Sequence, residues 1–295
     1  MTFLDEIIEP VNARGERATF INEKYGPNER NNFDIWLAKS DKPTQLVIYI
    51  HGGGFVGGDK SKYYLSHDWP RFLDNGISVA TINYRFMNEA PFGILSSMND
   101  SKRCVQYIRF HAAKYNIDKT KIACTGGSAG AGTALWLAFS DDMADAENGD
   151  VILRESTRLT CAGAFAAQAT YDIFQWDKIL GIPLSQTPEQ LHAIARAFGF
   201  KSAENLDLRN ETNIRSNLDF LSKMDKYDSP VFIFNRHKAG IPENQDDVNH
   251  HPLHARALKE RADLVGLEAI VYAPEIGIYD PSGKDLVDFF LEKLI

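Results

Sequence analysis

A serine flanked by glycines lies where an apolar run meets a helical pattern. The segment Gly126–Gly130 reads Gly-Gly-Ser-Ala-Gly, the apolar run Lys121–Thr125 precedes it, and a helix-like run from Gly132 follows it. A sharp strand-to-helix turn of this kind exposes a hydroxyl, and small neighbours let the helix pack close beneath it. The pattern predicts that Ser128 is a nucleophile.

A second glycine-rich segment follows an earlier apolar run. Gln45–Ile50 leads into His51–Phe55, which reads His-Gly-Gly-Gly-Phe. Preorganised N–H groups that point at a developing oxyanion usually give the largest stabilisation in acyl transfer. We expect Gly53, Gly54 and Ala129 to supply those N–H groups. The alternative is a flexible loop, but the two motifs in this order are much rarer together than either motif alone.

With both motifs in place, the chain resembles an α/β-hydrolase of the hormone-sensitive-lipase-like and feruloyl-esterase-like carboxylesterase group. The resemblance covers residues 44 to 170 and includes Asn83-Tyr84-Arg85 and Asp100. It implies a mostly parallel twisted sheet of about eight strands with flanking helices, and a helical cap inserted after strand six. It also implies cleavage of a small ester with a short acyl chain through an acyl-enzyme, without a cofactor or a metal.

The apolar runs also favour an α/β architecture. Several are continuously apolar, as is typical of strands covered on both faces, and helical patterns separate the later ones, which indicates a doubly wound sheet. Strands are predicted at Ala18–Ile21, Phe33–Leu37, Leu46–Ile50, Ser78–Tyr84, Lys121–Thr125, Thr160–Ala167, Val231–Asn235 and Leu267–Tyr272. Helices are predicted at Tyr64–Asp74, Ser97–Tyr115, Ala131–Asp142, Pro252–Val265 and from Ser282 onward.

Residues 171–228 interrupt this alternation. They contain a well-marked helix, in which Thr187 is the N-cap, Gln190 completes a capping box and Gly199 follows the last turn. We interpret residues 1–170 and 229–295 as the core and residues 171–228 as a cap. The aromatic residues of the cap either line an acyl or alcohol pocket or seat the cap on the sheet: Tyr171, Phe174, Trp176, Phe198 and Phe200.

A serine nucleophile needs a base and a carboxylate that orients the base. The resemblance places these groups after strands seven and eight. The loop after strand seven carries Asp246 and Asp247, and the distance of Asp247 from the helix predicted at Pro252 favours Asp247. The loop after the last strand, Ala273–Asp280, contains no histidine, and no histidine occurs beyond His254.

Two explanations of the missing histidine stay open. In the first, His250 or His251, each favoured over His254, acts as the base, because an unusually long loop often carries function. A carboxylate would orient it: Asp246, Asp247 or Glu275. In the second, His251 caps the following helix and the site is incomplete. The protein is then an impaired relative that binds a small carbonyl ligand, or a lyase that uses the same site.

Composition narrows the choice of partners. A net charge of −8 argues against nucleic acid and anionic membrane surfaces, and no run approaches the roughly 18 apolar residues of a membrane span. The start of the chain lacks a signal-peptide pattern, which predicts a cytoplasmic protein, and a homodimer stays open. Cys104, Cys124 and Cys161 are expected to be reduced core residues. Other histidines are expected to be surface or satisfied polar residues: His67, His111, His192 and His237.

Overall fold

The computed structural model describes residues 8–89, 91–183, 187–204 and 207–295, and within these ranges eight strands form one sheet. The strands are β1 (Phe20–Lys24), β2 (Asn32–Trp36), β3 (Thr44–Ile50), β4 (Ile77–Ile82), β5 (Ile117–Gly127), β6 (Ala162–Phe165), β7 (Val231–Phe234) and β8 (Ala269–Tyr272). They correspond to the eight predicted runs and differ from them at the strand ends.

The order of the strands in the sheet is β1-β2-β4-β3-β5-β6-β7-β8. β2 pairs antiparallel with β1 and with β4, and all other neighbours pair parallel. β3 has β4 on one side and β5 on the other, so the chain changes direction across the sheet there. Open α/β sheets bind ligands at the carboxyl ends of the strands at such a point. The predicted mostly parallel, doubly wound sheet is therefore confirmed.

Helices cover both faces of the sheet. They are α1 (Asp68–Asp74), α2 (Ile94–Phe110), α3 (Ala129–Ala138), α4 (Trp176–Leu180), α5 (Pro188–Ala197), α6 (Thr212–Leu218), α7 (Phe220–Lys223), α8 (Gln245–Asn249), α9 (Leu253–Val265) and α10 (Leu286–Leu294). Successive strand side chains point to opposite faces. Val47 and Tyr49 of β3 accordingly belong to the core with α1 and α10, and Ile48 and Ile50 to the core with α2, α3 and α9.

Helices α4 to α7 lie in the segment between β6 and β7. The predicted capping box of α5 is present, because the Thr187 side chain accepts from the Gln190 N–H and the Gln190 side chain accepts from the Thr187 N–H. The Tyr171 hydroxyl donates to the Ala129 carbonyl at 2.9 Å, and Phe174 meets Phe198 edge to face at a centroid distance of 6.1 Å. These aromatic residues pack the segment together and seat it on α3. The division into core and cap stays a prediction.

The three cysteines are free and buried, as expected. Burial disfavours the thiolate and raises the pKa of Cys124 to about 12, so this thiol is inert at neutral pH. Among the described helices, none is both long and apolar enough to cross a membrane.

Two glycines of the serine turn are required by close packing against β3. An added Cβ at Gly130 would lie 1.9 Å from the Ile50 carbonyl oxygen, and one at Gly126 would lie 2.3 Å from the same atom. Both contacts are with backbone, which cannot rotate away. The turn at Ser128 therefore rests directly on the end of β3, the strand that leads into the His51 loop.

We expect Gly130→Ala to lower the free energy of unfolding by about 1 to 3 kcal/mol, because the methyl group forces β3 and α3 apart. Chemical denaturation measures this difference. Gly149→Ala is the matched control, since an added Cβ at Gly149 would meet nothing within 4 Å. Equal stabilities for the two variants would contradict the packing argument.

Candidate functional site

Ser128 occupies a strained turn between β5 and α3. Its φ is 52° and its ψ is −118°, and a positive φ is uncommon for a residue that carries a side chain. The Ser128 N–H donates to the Phe165 carbonyl at 2.9 Å and so fixes the turn on β6. Strain of this kind persists only where the surrounding structure enforces it, and it is concentrated at functional sites.

The imidazole of His250 reaches this serine. Its Nε2 atom lies 2.8 Å from the Ser128 Oγ atom, and only 14% of its side chain is exposed. His250 directly follows α8, in the connection between β7 and α9. A nucleophile and a base within hydrogen-bonding reach are the geometric signature of an activated hydroxyl.

Asp246 lies one helical turn before His250. Its Oδ1 atom is 2.9 Å from His250 Nδ1, although the angle is outside that of a well-formed hydrogen bond. We assign the Nδ1–H tautomer to His250 from these neighbours, so that Nε2 accepts the serine proton. The Asp246 side chain is 70% exposed, and solvent weakens its hold on the imidazole.

Asp247, which the sequence favoured as the acid, faces the other way. Its Oδ2 atom accepts from the Glu243 N–H at 2.9 Å and lies 3.4 Å from Lys238 Nζ. Consecutive residues of a helix do not share a face. The structure therefore brings Asp246, and not Asp247, to His250.

The rings of His251 and His254 are both bound to backbone groups. Nδ1 of His251 accepts from the Leu253 N–H, the first N–H of α9, at 3.2 Å, and Nε2 lies 3.0 Å from the Gly240 carbonyl oxygen. His254 is fully buried, with Nδ1 accepting from the Ala169 N–H at 3.3 Å and Nε2 lying 3.1 Å from the Val248 carbonyl oxygen. Neither ring is available to Ser128.

Side chains hold three successive carbonyls at the end of α8. His254 binds that of Val248, Gln168 Nε2 donates to that of Asn249 at 2.7 Å, and Asn235 Nδ2 donates to that of His250 at 3.0 Å. We call Gln168, Asn235 and His254 the α8 clamp. Sequence reasoning missed Gln168 and Asn235. The available signal was a polar residue directly after an apolar strand, as Asn235 is after β7.

The glycine loop after β3 has the backbone conformation that its sequence requires. Gly53 and Gly54 have φ values of 117° and 60°, and an added Cβ at Gly53 would lie 2.2 Å from the Gly57 carbonyl oxygen. Within the described chain, no hydrogen bond uses the N–H of Gly53 or Gly54. Ala129 begins α3, so its N–H has no partner within the helix. These three N–H groups are free to receive an oxyanion.

The buried side chain of His51 fixes the position of this glycine loop. It is fully buried and stacked on Tyr84 at a centroid distance of 4.2 Å. Nδ1 donates to the Gly52 carbonyl at 2.7 Å, and Nε2 accepts from Arg30 Nη2 at 3.3 Å. The same Arg30 nitrogen donates to the Gly58 carbonyl at 2.9 Å. Burial lowers the pKa of His51 to about 4, so the ring is neutral at physiological pH and orients the loop through its hydrogen bonds.

One ring and one carboxylate lie on the solvent side of His250. His237 stacks on His250 at a centroid distance of 4.8 Å. Burial lowers the pKa of His250, the Asp246 carboxylate raises it, and His237 lowers it further. Ligand atoms of His237, Asp246 and His250 all lie within 4.8 Å of one another, which makes them the group of described residues able to hold a metal ion.

Comparison with known proteins identifies a matching family and several relatives. The BD-FAE family model matches residues 33–246. An esterase of Gibberella moniliformis is 30% identical over 43% of this chain and 39% of its own length. A chlorogenic acid esterase of Aspergillus niger is 29% identical over 36% of this chain and 22% of its own length. The chain thus spans less than half the length of these relatives.

Solved structures share the fold. A truncated carbohydrate esterase from gut microbiota superposes with a TM-score of 0.68 at 22% identity, over 93% of this chain and 95% of that one. An esterase of Thermogutta terrifontis with bound butyrate superposes with a TM-score of 0.54 at 18% identity, over 84% of this chain and 80% of that one. The α/β-hydrolase fold implied by the sequence motifs is confirmed.

We expect His51 and His254 to stay neutral down to about pH 4, because burial lowers the pKa of each ring to about 4. Imidazole resonances followed by NMR titration measure both values. The Arg30 guanidinium lowers the pKa of His51, whereas burial and the neighbouring His250 and His251 lower the pKa of His254. Arg30→Met should therefore raise the His51 midpoint and leave the His254 midpoint in place. A shared shift of both midpoints would contradict a local charge effect.

Proposed function

We propose that this chain, which belongs to the BD-FAE family, is a serine hydrolase that cleaves small carboxylic esters. One observation carries the proposal. The hydroxyl of Ser128, on a strained turn, lies 2.8 Å from a histidine nitrogen that accepts its proton. The esterase names of the relatives agree with this chemistry.

The proposed reaction has two halves. His250 Nε2 takes the proton as Ser128 Oγ attacks the ester carbonyl carbon, and the N–H groups of Gly53, Gly54 and Ala129 receive the negative carbonyl oxygen. The tetrahedral intermediate then collapses, the carbon–oxygen bond to the alcohol breaks, and His250 returns the proton to the departing alcohol. Water repeats the sequence on the acyl-enzyme and releases the carboxylic acid.

In this scheme Asp246 orients His250, in place of the Asp247 favoured by the sequence. The carboxylate beside Nδ1 stabilises the imidazolium that forms as Ser128 attacks. Asp247 is committed to the Glu243 N–H and Lys238. The base comes from the connection after β7, which answers the absence of histidine from the loop after β8.

The substrate is proposed to be a neutral or cationic ester with a short acyl chain. The net charge of −8 disfavours an anionic substrate. Butyrate is the ligand named for the Thermogutta terrifontis structure. The contact between Ser128 and His250 favours turnover over the alternatives, namely an impaired relative that binds a carbonyl ligand or a lyase.

We expect Ser128→Ala and His250→Ala each to lower kcat for p-nitrophenyl acetate by roughly 10⁴-fold or more, because nucleophile and base act as a unit. Stopped assays that compare the rate of each variant with the parent rate and with the uncatalysed rate measure this loss of kcat. A fluorophosphonate probe should label the parent protein and not Ser128→Ala. Thermal unfolding checks that the variants are folded. Full activity in His250→Ala would assign the base elsewhere.

The two aspartates give a matched pair. Asp246→Asn should lower kcat by about 10² to 10⁴-fold, whereas Asp247→Asn should stay near the parent value. Burial lowers the pKa of His250 below 6.5, so activity should fall only as the pH drops below that value. Losing the Asp246 charge lowers this pKa further, and the acid limb should move to lower pH. Profiles of rate against pH, recorded with a metal chelator present, test the predicted loss of kcat and the predicted shift of the acid limb. Equal changes in Asp246→Asn and Asp247→Asn would contradict both predictions.

A further inference from the structure

Two potential metal ligands, His237 and Asp246, lie beside the outer nitrogen of the proposed base, which is the third. His250 Nδ1 lies 2.9 Å from Asp246 Oδ1, and His237 stacks on the same imidazole. The Nδ1 atom is buried and makes no hydrogen bond of good geometry within the described chain. No described residue hydrogen-bonds to a ring nitrogen of His237, whose backbone N–H donates to Asn235 Oδ1 at 2.9 Å.

The ligand types are those of a divalent transition metal. Two imidazole nitrogens and one carboxylate oxygen suit Zn²⁺, which binds each at about 2.0 to 2.2 Å. Tetrahedral geometry at those lengths separates the ligand atoms by about 3.3 Å. His250 Nδ1 and Asp246 Oδ1 are already 2.9 Å apart. All ligand atoms lie within 4.8 Å of one another, so His237 needs to turn out of its stack and approach by at most about 1.5 Å.

His237 is placed to make this movement. It belongs to the loop between β7 and α8 and is only half-buried, and the Asp246 side chain is exposed. The α8 clamp holds the backbone of His250, so the base stays in place while the other two ligands close on it. The fourth position of the ion faces water.

We propose that His237, Asp246 and His250 bind a divalent transition-metal ion and that this ion reversibly switches the base off. The first half stands on the ligand geometry, and the second half rests on the proposed function. A metal at Nδ1 needs the lone pair of that atom, so the ring proton moves to Nε2. Nε2 then donates to Ser128 Oγ and no longer accepts its proton. The metal-bound and active states are therefore different tautomers of one imidazole.

The binding experiment uses the full chain in the Ser128→Ala variant, so that its result is independent of turnover. Co²⁺ is added as the probe, because a tetrahedral site with nitrogen ligands gives intense visible absorption bands. We expect saturable bands that Zn²⁺ displaces and Mg²⁺ does not, since Mg²⁺ prefers oxygen ligands. Adding His237→Ala to this variant should weaken Co²⁺ binding by about tenfold or more. His111→Ala is the control, because His111 ends α2 at the opposite edge of the sheet.

The inhibition experiment uses the parent protein with p-nitrophenyl acetate. Zn²⁺ should inhibit, and a chelator should restore the rate. The concentration for half inhibition should rise by about tenfold or more in His237→Ala and stay unchanged in His111→Ala, with each variant scored against its own rate in chelator. His237→Gln, which keeps a polar side chain of similar reach without an imidazole, should behave like His237→Ala.

The outcomes separate the two proposals. Absence of cobalt bands, or bands unaffected by His237→Ala, overturns the metal site whatever the activity. Cobalt bands that depend on His237 in a protein without esterase activity leave the metal site standing and overturn the proposed function. An active protein that binds Co²⁺ at His237 but is not inhibited by Zn²⁺ overturns the tautomer switch.

Discussion

The position of the proposed base depends on hydrogen bonds to the carbonyls at the end of α8. A helix of five residues has no stability of its own, because nucleation costs more than its few internal bonds return. Its last carbonyls would also be left unpaired. The α8 clamp stabilises the short helix and pairs its last carbonyls, because the buried side chains of Gln168, Asn235 and His254 each bind one carbonyl. Only with this backbone fixed does the imidazole of His250 stay 2.8 Å from the Ser128 hydroxyl.

Buried side chains also fix the glycine loop after β3, on the other side of Ser128. The N–H groups of Gly53 and Gly54 make no hydrogen bond within the described chain, and the backbone around them is bound by buried groups. His51 stacks on Tyr84 and binds Gly52, while Arg30 joins His51 to Gly58. Since β3 and β5 are neighbours in the sheet, this loop and the serine turn meet without any long connection. Preorganised donors of this kind need no rearrangement when charge develops.

Placing the proposed base and the proposed acid on one helical turn has a cost. Asp246 and His250 are four residues apart, so they share a face, but a turn this close to the surface leaves the carboxylate 70% exposed. Solvent screens its charge, and burial dominates the lowered pKa of His250. The exposed arrangement also leaves room for His237 beside the outer nitrogen. The imidazole of His250 thus faces the Ser128 hydroxyl on its inner side and two potential metal ligands on its outer side.

Local sequence determined much of this protein. Apolar runs marked all eight strands of the sheet, the capping pattern at Thr187 marked α5, and the glycines around Ser128 and after His51 marked two tight turns. These features can be predicted from the sequence because strand burial, helix caps and close backbone approach depend on residues that are near one another in the chain. The absence of histidine after β8 was equally plain. Only the fold brought His250, rather than His251, to Ser128, and Asp246, rather than Asp247, to His250. Each pair is adjacent in the chain, so composition and spacing scarcely distinguish its members. Their directions follow from where α8 ends, and that is set by Gln168, Asn235 and His254, which lie far apart in sequence and meet only when the sheet is assembled.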